Sequence, residues 1–287
     1  MTSDYNCLMN LRFTKMHGLG NDFMVVDLVT QNAHLDLKLV RTWSDRHTGI
    51  GFDQLLTVLP PTVPDADFKL RIFNSDGTEA EQCGNGGRCV AQFVRDSALT
   101  KKRGLALDTA GGRVYTRLLG NGNVRVEMNV PRLKATKVPF RPELATKEGM
   151  GYRLALDGET VEFTPVSMGN PHAVIVVHDV DRAPVEHVGA ALQASDAFPE
   201  GVNVGFLQVM DAENARLRVF ERGAGETRAC GSGACAAMVA GNLQGLLKER
   251  TTVSLPGGDV ELAWPGKGSP VAMIGPAATV YRGRVQL

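Results

Sequence analysis

Short runs of apolar residues, many of them alternating with polar ones, recur along this 287-residue chain and are typical of β-strands. They predict strands over residues 11–18, 22–28, 68–73, 105–109, 113–119, 123–128, 172–179, 202–210, 216–220, 251–255 and 259–264. Helical spacing of apolar residues predicts helices over residues 36–46, 86–96, 184–194 and 231–243. The last of these is apolar on nearly all sides, which indicates a helix enclosed by protein.

The two halves of the chain repeat the same landmarks in the same order. FNSDGTEAEQCGNGG and FERGAGETRACGSG each place a phenylalanine ten residues before a Cys-Gly-x-Gly sequence. The matched residues lie 147 to 149 positions apart: Phe73 and Phe220, Cys83 and Cys230, Asn21 and Asn170, Gln54 and Asn203. Constant order and near-constant spacing indicate an internal duplication.

The duplication predicts an α+β fold of two pseudo-symmetric lobes, each a mostly antiparallel sheet wrapped around a central helix. We expect the first lobe to cover residues 11–130 and the second to cover residues 131–276. Residues 128–149 combine prolines, glycines and charges, so we expect them to form the crossing between the lobes.

Composition limits the possible partners. The chain has 31 basic and 31 acidic residues without a basic cluster, so we expect a small-molecule ligand and no nucleic acid. No apolar stretch approaches the roughly eighteen residues that span a bilayer, and MTSDYNCLMN does not resemble a signal peptide. Five cysteines, an odd number, favour reduced thiols in the cytoplasm.

Cys83 and Cys230 each stand at the N-terminal end of a predicted helix. The N–H groups and partial positive charge of a helix N-terminus stabilise a thiolate, so we expect the cysteine pKa to fall toward neutrality. Two such thiols suggest a carbon acid held in a cleft between facing helix ends. One thiolate would remove a proton and the opposite thiol would return one, which inverts a stereocentre without a metal or cofactor. The neighbouring glycines would bring N–H groups to a substrate carboxylate.

Other interpretations of the cysteines are less consistent with the sequence. Cys7, Cys89 and Cys235 are expected to be small hydrophobic residues. The spacings Cys-x5-Cys and Cys-x4-Cys do not fit a zinc site, and no lysine follows the glycines as in a phosphate-binding loop. We expect no metal, and a disulfide between Cys83 and Cys230 only as an oxidation product.

Polar side chains stand beside strands that should be largely apolar. Turn formation is sufficient for Asn121, but the duplicated asparagines also suit ammonium and carboxylate groups. Glu221 and Arg222 supply an acid and a guanidinium fork for a carboxylate, although an adjacent Glu-Arg step is often only a surface ion pair. His172 is either a satisfied core histidine or a group that tunes a nearby thiol.

Together these motifs resemble the diaminopimelate epimerase family. The matching stretches, spread over residues 16–235, are MHGLGNDF, GIGFDQ, FNSDG, CGNGGRC, MGNPH, GVNV and ERGAGETRACGSGAC. The resemblance implies a homodimeric isomerase that interconverts LL- and meso-2,6-diaminoheptanedioate without pyridoxal phosphate, in lysine and peptidoglycan-precursor synthesis. It also implies that residues 277–287 return to the first lobe. Residues 1–10 have no family counterpart, and we expect this N-terminal extension to be disordered.

The resemblance also assigns site residues by position. Cys83 and Cys230 correspond to the catalytic pair, one thiolate base and one thiol acid, and His172 and Glu221 to the pair that adjusts cysteine basicity. The substrate contacts that it implies are Asn21, Gln54, Asn74, Gly84, Asn85, Asn170, Asn203, Glu221, Arg222, Gly231 and Ser232. Ser232 stands where the family often has threonine and keeps the hydroxyl group.

Two other functions remain open at this stage. A proline or hydroxyproline racemase would also use two cysteines, but it has no need of polar groups for a distant amino-acid head. A non-catalytic amino-acid binding module would hold a carboxylate at the glycine loops with idle thiols. A phenazine-type isomerase is disfavoured because it lacks the cysteine pair.

Overall fold

The computed structural model of the chain describes residues 10–81, 83–156 and 158–287. It divides into two compact units: the first runs to Val124 and includes Pro276–Leu287, and the second is Arg125–Gly275. The lobe boundaries at 130/131 and 276/277 remain a prediction. Most of the N-terminal extension, with Cys7, lies outside the described residues, whereas Asn10 already belongs to a strand. Within the described residues, no helix is long and apolar enough to cross a membrane.

Among its described residues, the first unit contains two α-helices and a mixed sheet. Its elements are β1 (Asn10–Gly18), β2 (Asn21–Asp27), α1 (Leu37–Ser44), β3 (Gln54–Leu59), β4 (Phe68–Asn74), β5 (Glu79–Ala80), α2 (Gly84–Asp96), β6 (Gly104–Thr109) and β7 (Gly112–Leu118). The boundary between the two units falls within the strand β8 (Val124–Glu127), directly after Val124. The turn before this strand contains Gly122, which has the positive φ that favours glycine.

The second unit contains two further α-helices and another mixed sheet. Its elements are two short 3-10 helices (Ala135–Lys137 and Pro142–Leu144), β9 (Thr146–Glu148), β10 (Gly151–Leu156), β11 (Glu159–Ser167), β12 (Pro171–Val176), α3 (Val185–Ala194), β13 (Asn203–Val209), β14 (Asn214–Glu221), β15 (Gly225–Thr227), α4 (Gly231–Leu243), β16 (Arg250–Leu255), β17 (Gly258–Ala263) and β18 (Ala272–Gly275). The last strand, β19 (Ala278–Gln286), returns to the first unit and pairs antiparallel with β1.

The two sheets repeat one pattern of strand pairing. In the first unit β2 pairs parallel with β3, β3 antiparallel with β4, β4 parallel with β6, and β6 antiparallel with β7. In the second unit β12, β13, β14, β16 and β17 pair in the same succession and with the same directions. The predicted duplication is therefore confirmed. The pairings of β1 with β2 and β19, and of β11 with β10 and β12, are antiparallel as well, so the prediction of mostly antiparallel sheets is also confirmed.

A helix lies at the centre of each unit. The helix α2 packs against β1, β2, β3 and β7, and α4 packs against strands from β11 to β17. From Gly233 to Gly241 every residue of α4 is buried, and four of them are alanines, so the surrounding strands can approach the helix closely. Both cysteine motifs therefore begin helices that are enclosed by sheet.

Residues 128–149 differ from the prediction of a crossing between lobes. Most of this segment lies in the second unit, where Val138 and Phe140 are buried in the hydrophobic core. The Phe140 ring meets Phe163 edge to face with centroids 5.4 Å apart. The prolines and charges suggested a linker, but the apolar residues between them anchor the segment to its own unit.

Candidate active site

Cys83 is the N-cap residue of α2. Its backbone is extended, and its Sγ accepts a hydrogen bond from the Gly86 N–H at 3.3 Å. Gly84 and Asn85 form the first turn of the helix, where N–H groups have no partner within the helix. The half-buried thiol therefore lies at the positive end of a helix dipole, as its sequence position indicates.

Two asparagines lie beside this thiol. The Cys83 Sγ donates to Asn21 Oδ1 at 3.8 Å, and Asn85 Nδ2 donates to the same oxygen at 3.2 Å. The Asn21 Nδ2 in turn donates to Asp53 Oδ2 at 2.9 Å. The structure thus gathers three predicted site residues and adds Asp53, which lies next to Gln54 in GIGFDQ.

Gln54 and Asn74 lie opposite each other on β3 and β4. Gln54 Nε2 donates to Asn74 Oδ1 at 2.9 Å, and Asn74 Nδ2 donates to Thr78 Oγ1 at 3.1 Å. The Gln54 Oε1 is buried and has no hydrogen-bond partner among the described residues. A buried acceptor without a donor is costly, and a ligand N–H group could satisfy it.

Cys230 is the N-cap residue of α4 and repeats the design of Cys83. Its Sγ accepts from the Gly233 N–H at 3.3 Å and lies 3.7 Å from Ser232 Oγ, with Gly231 as the first helical residue. Burial nevertheless raises the pKa of Cys230 well above its ordinary value, and the neighbouring Glu221 carboxylate raises it further. The prediction that the helix start lowers this pKa toward neutrality is therefore wrong for Cys230. Desolvation and a nearby anion outweigh the hydrogen bonds from Ser232 and Gly233.

The Glu221 carboxylate ends β14 and accepts a hydrogen bond from the hydroxyl of Thr227 on β15. Arg222 follows with an exposed side chain, and its Nη1 donates to the Glu200 carbonyl at 2.8 Å. Its backbone N–H donates to Asn203 Oδ1 at 2.9 Å. Glu221 is therefore positioned by the end of β14, and the backbone of Arg222 is positioned by its hydrogen bond to Asn203.

Asn170 and His172 lie at the start of β12. His172 Nε2 and Asn170 Oδ1 are 3.0 Å apart, and Asn170 Nδ2 donates to Ser232 Oγ at 3.4 Å. Burial, together with the positive charge of Arg222, lowers the pKa of His172 from 6.5 to about 3. His172 is therefore neutral near pH 7. It contacts Asn170, which in turn donates to Ser232 beside Cys230.

The remaining described cysteines have the environment predicted for them. Cys89 and Cys235 are wholly buried within α2 and α4. Burial raises the pKa of Cys89 to about 12, so this thiol stays protonated.

The sequence did not single out Asp53 or Thr227. Asp53 belongs to the motif GIGFDQ, and Thr227 lies three residues before Cys230 in GETRAC. Both contact predicted site residues across the sheet, and spacing along the chain does not reveal such contacts. The signal that could have identified Asp53 and Thr227 is that each is a polar residue within a motif that also contains a predicted site residue.

The chain shares its fold with solved structures of low sequence identity. A hydroxyproline epimerase from Agrobacterium vitis superposes with a TM-score of 0.71 at 14% identity, over 97% of this chain and 93% of that one. A PhzF-family phenazine biosynthesis protein from Bacillus anthracis has a TM-score of 0.69 at 18% identity, over 98% and 100% of the two chains. The fold and the two helix-capping cysteines define the class: a protein of two duplicated α+β units, each with a cysteine at the start of its central helix.

The family follows from closer relatives. Residues 13–134 and 164–280 match the family model described as diaminopimelate epimerase. The diaminopimelate epimerase of Stutzerimonas stutzeri strain A1501 is 55% identical over 279 residues, which cover 97% of this chain and all of that protein. The chain belongs to the diaminopimelate epimerase family.

Proposed function

We propose that this chain interconverts LL- and meso-2,6-diaminoheptanedioate, with Cys83 and Cys230 as the two acid–base groups. The observation that carries the proposal is the repeated design of a cysteine capping a buried helix, with its Sγ accepting the N–H group three residues on. Family membership supports the substrate, since the curated relatives carry the name of this activity. The reaction serves lysine and peptidoglycan-precursor synthesis.

In the proposed reaction both sulfur atoms act on one α-carbon. A thiolate takes the α-proton, so that the C–H bond breaks and an S–H bond forms. The second thiol then delivers its proton to the opposite face of the carbanion and becomes the thiolate. Helix N–H groups near each sulfur are suited to hold the α-carboxylate and the charge that develops on it. The roles of the two cysteines exchange with the direction of reaction.

The second amino-acid head of the substrate requires polar groups, and the chain offers them. The buried Gln54 Oε1 suits a donor such as an ammonium group, and the exposed guanidinium of Arg222 suits a carboxylate. The other proposed contacts are Asn21, Asn74, Gly84, Asn85, Asn170, Asn203, Glu221, Gly231 and Ser232. A site for proline would not need this second set.

Solvent isotope incorporation tests the activity. We expect the chain, given LL-diaminopimelate in deuterated water without added pyridoxal phosphate, to incorporate deuterium at one α-carbon as the meso form appears. Mass spectrometry and chiral chromatography follow both changes. Absence of deuterium at either α-carbon would show that the chain is not an epimerase of this substrate. Exchange with L-proline instead would favour the proline racemase alternative.

Substitution of each cysteine tests the two-base assignment. We expect Cys83→Ser and Cys230→Ser each to lower kcat by several orders of magnitude, because a hydroxyl group is a far weaker acid than a thiol at neutral pH. The matched control is Cys235→Ala, which changes a buried cysteine of the same helix away from its N-terminus. Wild-type turnover in either serine variant would refute the assignment, and unchanged ligand binding without any wild-type turnover would favour a binding module.

We propose further that the chain works as a homodimer in the cytoplasm. The exposed apolar side chains Val280 and Tyr281 on β19 support an association surface on the first unit, since they are 57% and 43% exposed. Sedimentation equilibrium would give the mass of two chains, and a monomer at micromolar concentration would refute the dimer.

A further inference from the structure

A continuous row of hydrogen bonds runs past Cys83 and ends in a charged group on each side. At one end Arg88 Nη2 donates to Asn85 Oδ1 at 2.8 Å, and Asn85 Nδ2 donates to Asn21 Oδ1 at 3.2 Å. At the other end Asn21 Nδ2 donates to Asp53 Oδ2 at 2.9 Å. The Cys83 Sγ lies 3.8 Å from the Asn21 Oδ1 in the middle of this row.

The two end groups determine how both amides are oriented. A guanidinium group can only donate, so Asn85 must present its oxygen to Arg88 and its nitrogen to Asn21. An ionised carboxylate can only accept, so Asn21 must present its nitrogen to Asp53 and its oxygen to Cys83. The orientation of Asn21 therefore follows from the charges at both ends of the row.

Further charges hold Asp53 in place. Arg46 Nη2 bridges Asp53 Oδ1 at 2.7 Å and Asp22 Oδ1 at 2.8 Å, and the Asp53 N–H donates to Asp22 Oδ1 at 3.0 Å. Lys15, which is 7% exposed, pairs with Asp22 Oδ2 at 2.5 Å. Burial opposes ionisation of Asp22, but the hydrogen bonds from Arg46 and Lys15 lower its pKa to about 2. Asp53 is thus anchored although 43% of its side chain is exposed.

The duplicated asparagine of the second unit has the opposite orientation. Asn170 Oδ1 faces His172 Nε2 at 3.0 Å, and its nitrogen faces Ser232 Oγ at 3.4 Å. Ser232 accepts this hydrogen bond and can direct its own proton to Cys230 Sγ, 3.7 Å away. Asn21 therefore lies in a row that ends in charged groups, whereas the duplicated Asn170 lies beside a neutral histidine.

We propose that Asp53 is a positioning residue, which together with Arg88 locks Asn21 as a hydrogen-bond acceptor against Cys83 and so favours the thiol over the thiolate there. A carbonyl oxygen accepts from an S–H group but repels a thiolate, whereas an amide nitrogen in its place would donate to a thiolate. The proposal rests on the proposed function for its catalytic meaning, because it assigns the proton-bearing state of one of the two acid–base groups.

Asp53→Ala tests the lock without any substrate. The variant removes the acceptor for Asn21 Nδ2 and a negative charge near Cys83, and both changes favour the thiolate. The other ionisable groups around the row stay as they are: Arg88 and Cys89 on α2, Asp22 on β2, and Arg46 and Lys15 beside Asp22. The measurement is the iodoacetamide alkylation rate of each cysteine in the full chain, resolved by peptide mass spectrometry at neutral and at high pH.

We expect the neutral-pH rate at Cys83, divided by its plateau at high pH, to rise about fivefold, the equilibrium effect of one hydrogen bond. Division by the plateau removes any change in access to the thiol. Cys230 in the same sample should change by less than about twofold. The matched control is Asp67→Ala, since Asp67 accepts from Lys102 and from the Ala106 N–H elsewhere in the same unit.

An unchanged or lower ratio at Cys83 in a folded Asp53→Ala chain would overturn the proposal, as would an equal rise in Asp67→Ala. If the Ala variant does not fold, Asp53→Asn replaces it. Arg46 and Asn21 donate to different oxygens of Asp53, and an amide has only one oxygen, so an asparagine in the same geometry cannot accept at both positions. The same rise is therefore expected, and its absence would again overturn the proposal. Alkylation needs no turnover, so failure of the epimerase assignment would leave this result readable.

Discussion

At the scale of single residues, Thr227 and Glu221 govern the environment of Cys230. The Thr227 hydroxyl donates to the Glu221 carboxylate, and that carboxylate raises the pKa of the buried Cys230 thiol. If the carboxylate loses this hydrogen-bond donor, its negative charge is less neutralised. It then destabilises a neighbouring thiolate more strongly.

Thr227→Val should therefore slow both Cys230 alkylation and epimerisation at neutral pH, by about tenfold, because valine keeps the shape of threonine and loses its donor. Thr227→Ser retains the hydroxyl group and is expected to stay near wild type. Alkylation kinetics of Cys230 and initial rates with LL-diaminopimelate measure the two effects. Equal loss in the valine and serine variants would mean that Thr227 acts through packing alone.

The site residues that could be predicted from the sequence are those that lie within the duplicated motifs. Cys83 and Cys230 stand before helices in the chain, so their N-cap positions could be predicted from local pattern. The partners Asp53 and Thr227 could not, since their contacts depend on which strands pair. The rise in the pKa of Cys230 was also out of reach, because it depends on burial that a single helix start does not reveal.

At the scale of elements, α3 supports the strand that carries Glu221. Gly189 of this helix lies against Phe220, and a methyl group added there would come within 2.5 Å of Phe220 Cγ. Such a contact is too short, so either the helix or the strand end must move.

Gly189→Ala is expected to destabilise the second unit by about 2 kcal/mol although alanine is the better helix former. Urea unfolding followed by Trp264 fluorescence in a Trp43→Phe background measures this unit, since its one tryptophan is buried there. The control Ala190→Gly changes an exposed neighbour and should cost at most about 1 kcal/mol through helix propensity. A stabilised Gly189→Ala chain would contradict the packing argument.

The four predicted helices and all eleven predicted strands, where apolar periodicity is strong, are present in the structure. Apolar periodicity does not predict the burial of residues 128–149, because Val138 and Phe140 are two isolated apolar residues among prolines and charges. Neither period two nor period 3.6 can be read from so few positions, yet both side chains are in the core. Their burial depends on β11 and on the loop after α3, which are distant in sequence.

At the scale of the whole molecule, the two duplicated units share the same order of strand pairing. They differ in the polar side chains that surround their duplicated asparagines. The first unit places acidic and basic residues around its asparagine: Asp53 accepts from Asn21, and Arg88 donates to the neighbouring Asn85. The second uses His172, which is buried and neutral. The stability of the two units should therefore respond to pH in different ranges.

The pH dependence of the second unit follows from His172. Because its pKa is lowered from 6.5 to about 3 on folding, the unfolded chain binds one more proton between these values. The stabilisation from neutral His172 is complete above pH 6.5 and is lost as pH falls toward 3, by about 1.4 kcal/mol per pH unit. Trp264-detected unfolding of Trp43→Phe chains should show this slope, and His172→Gln should flatten it, whereas the exposed His187→Gln should not. An equal slope in all three chains would show that His172 does not stay neutral in the folded unit.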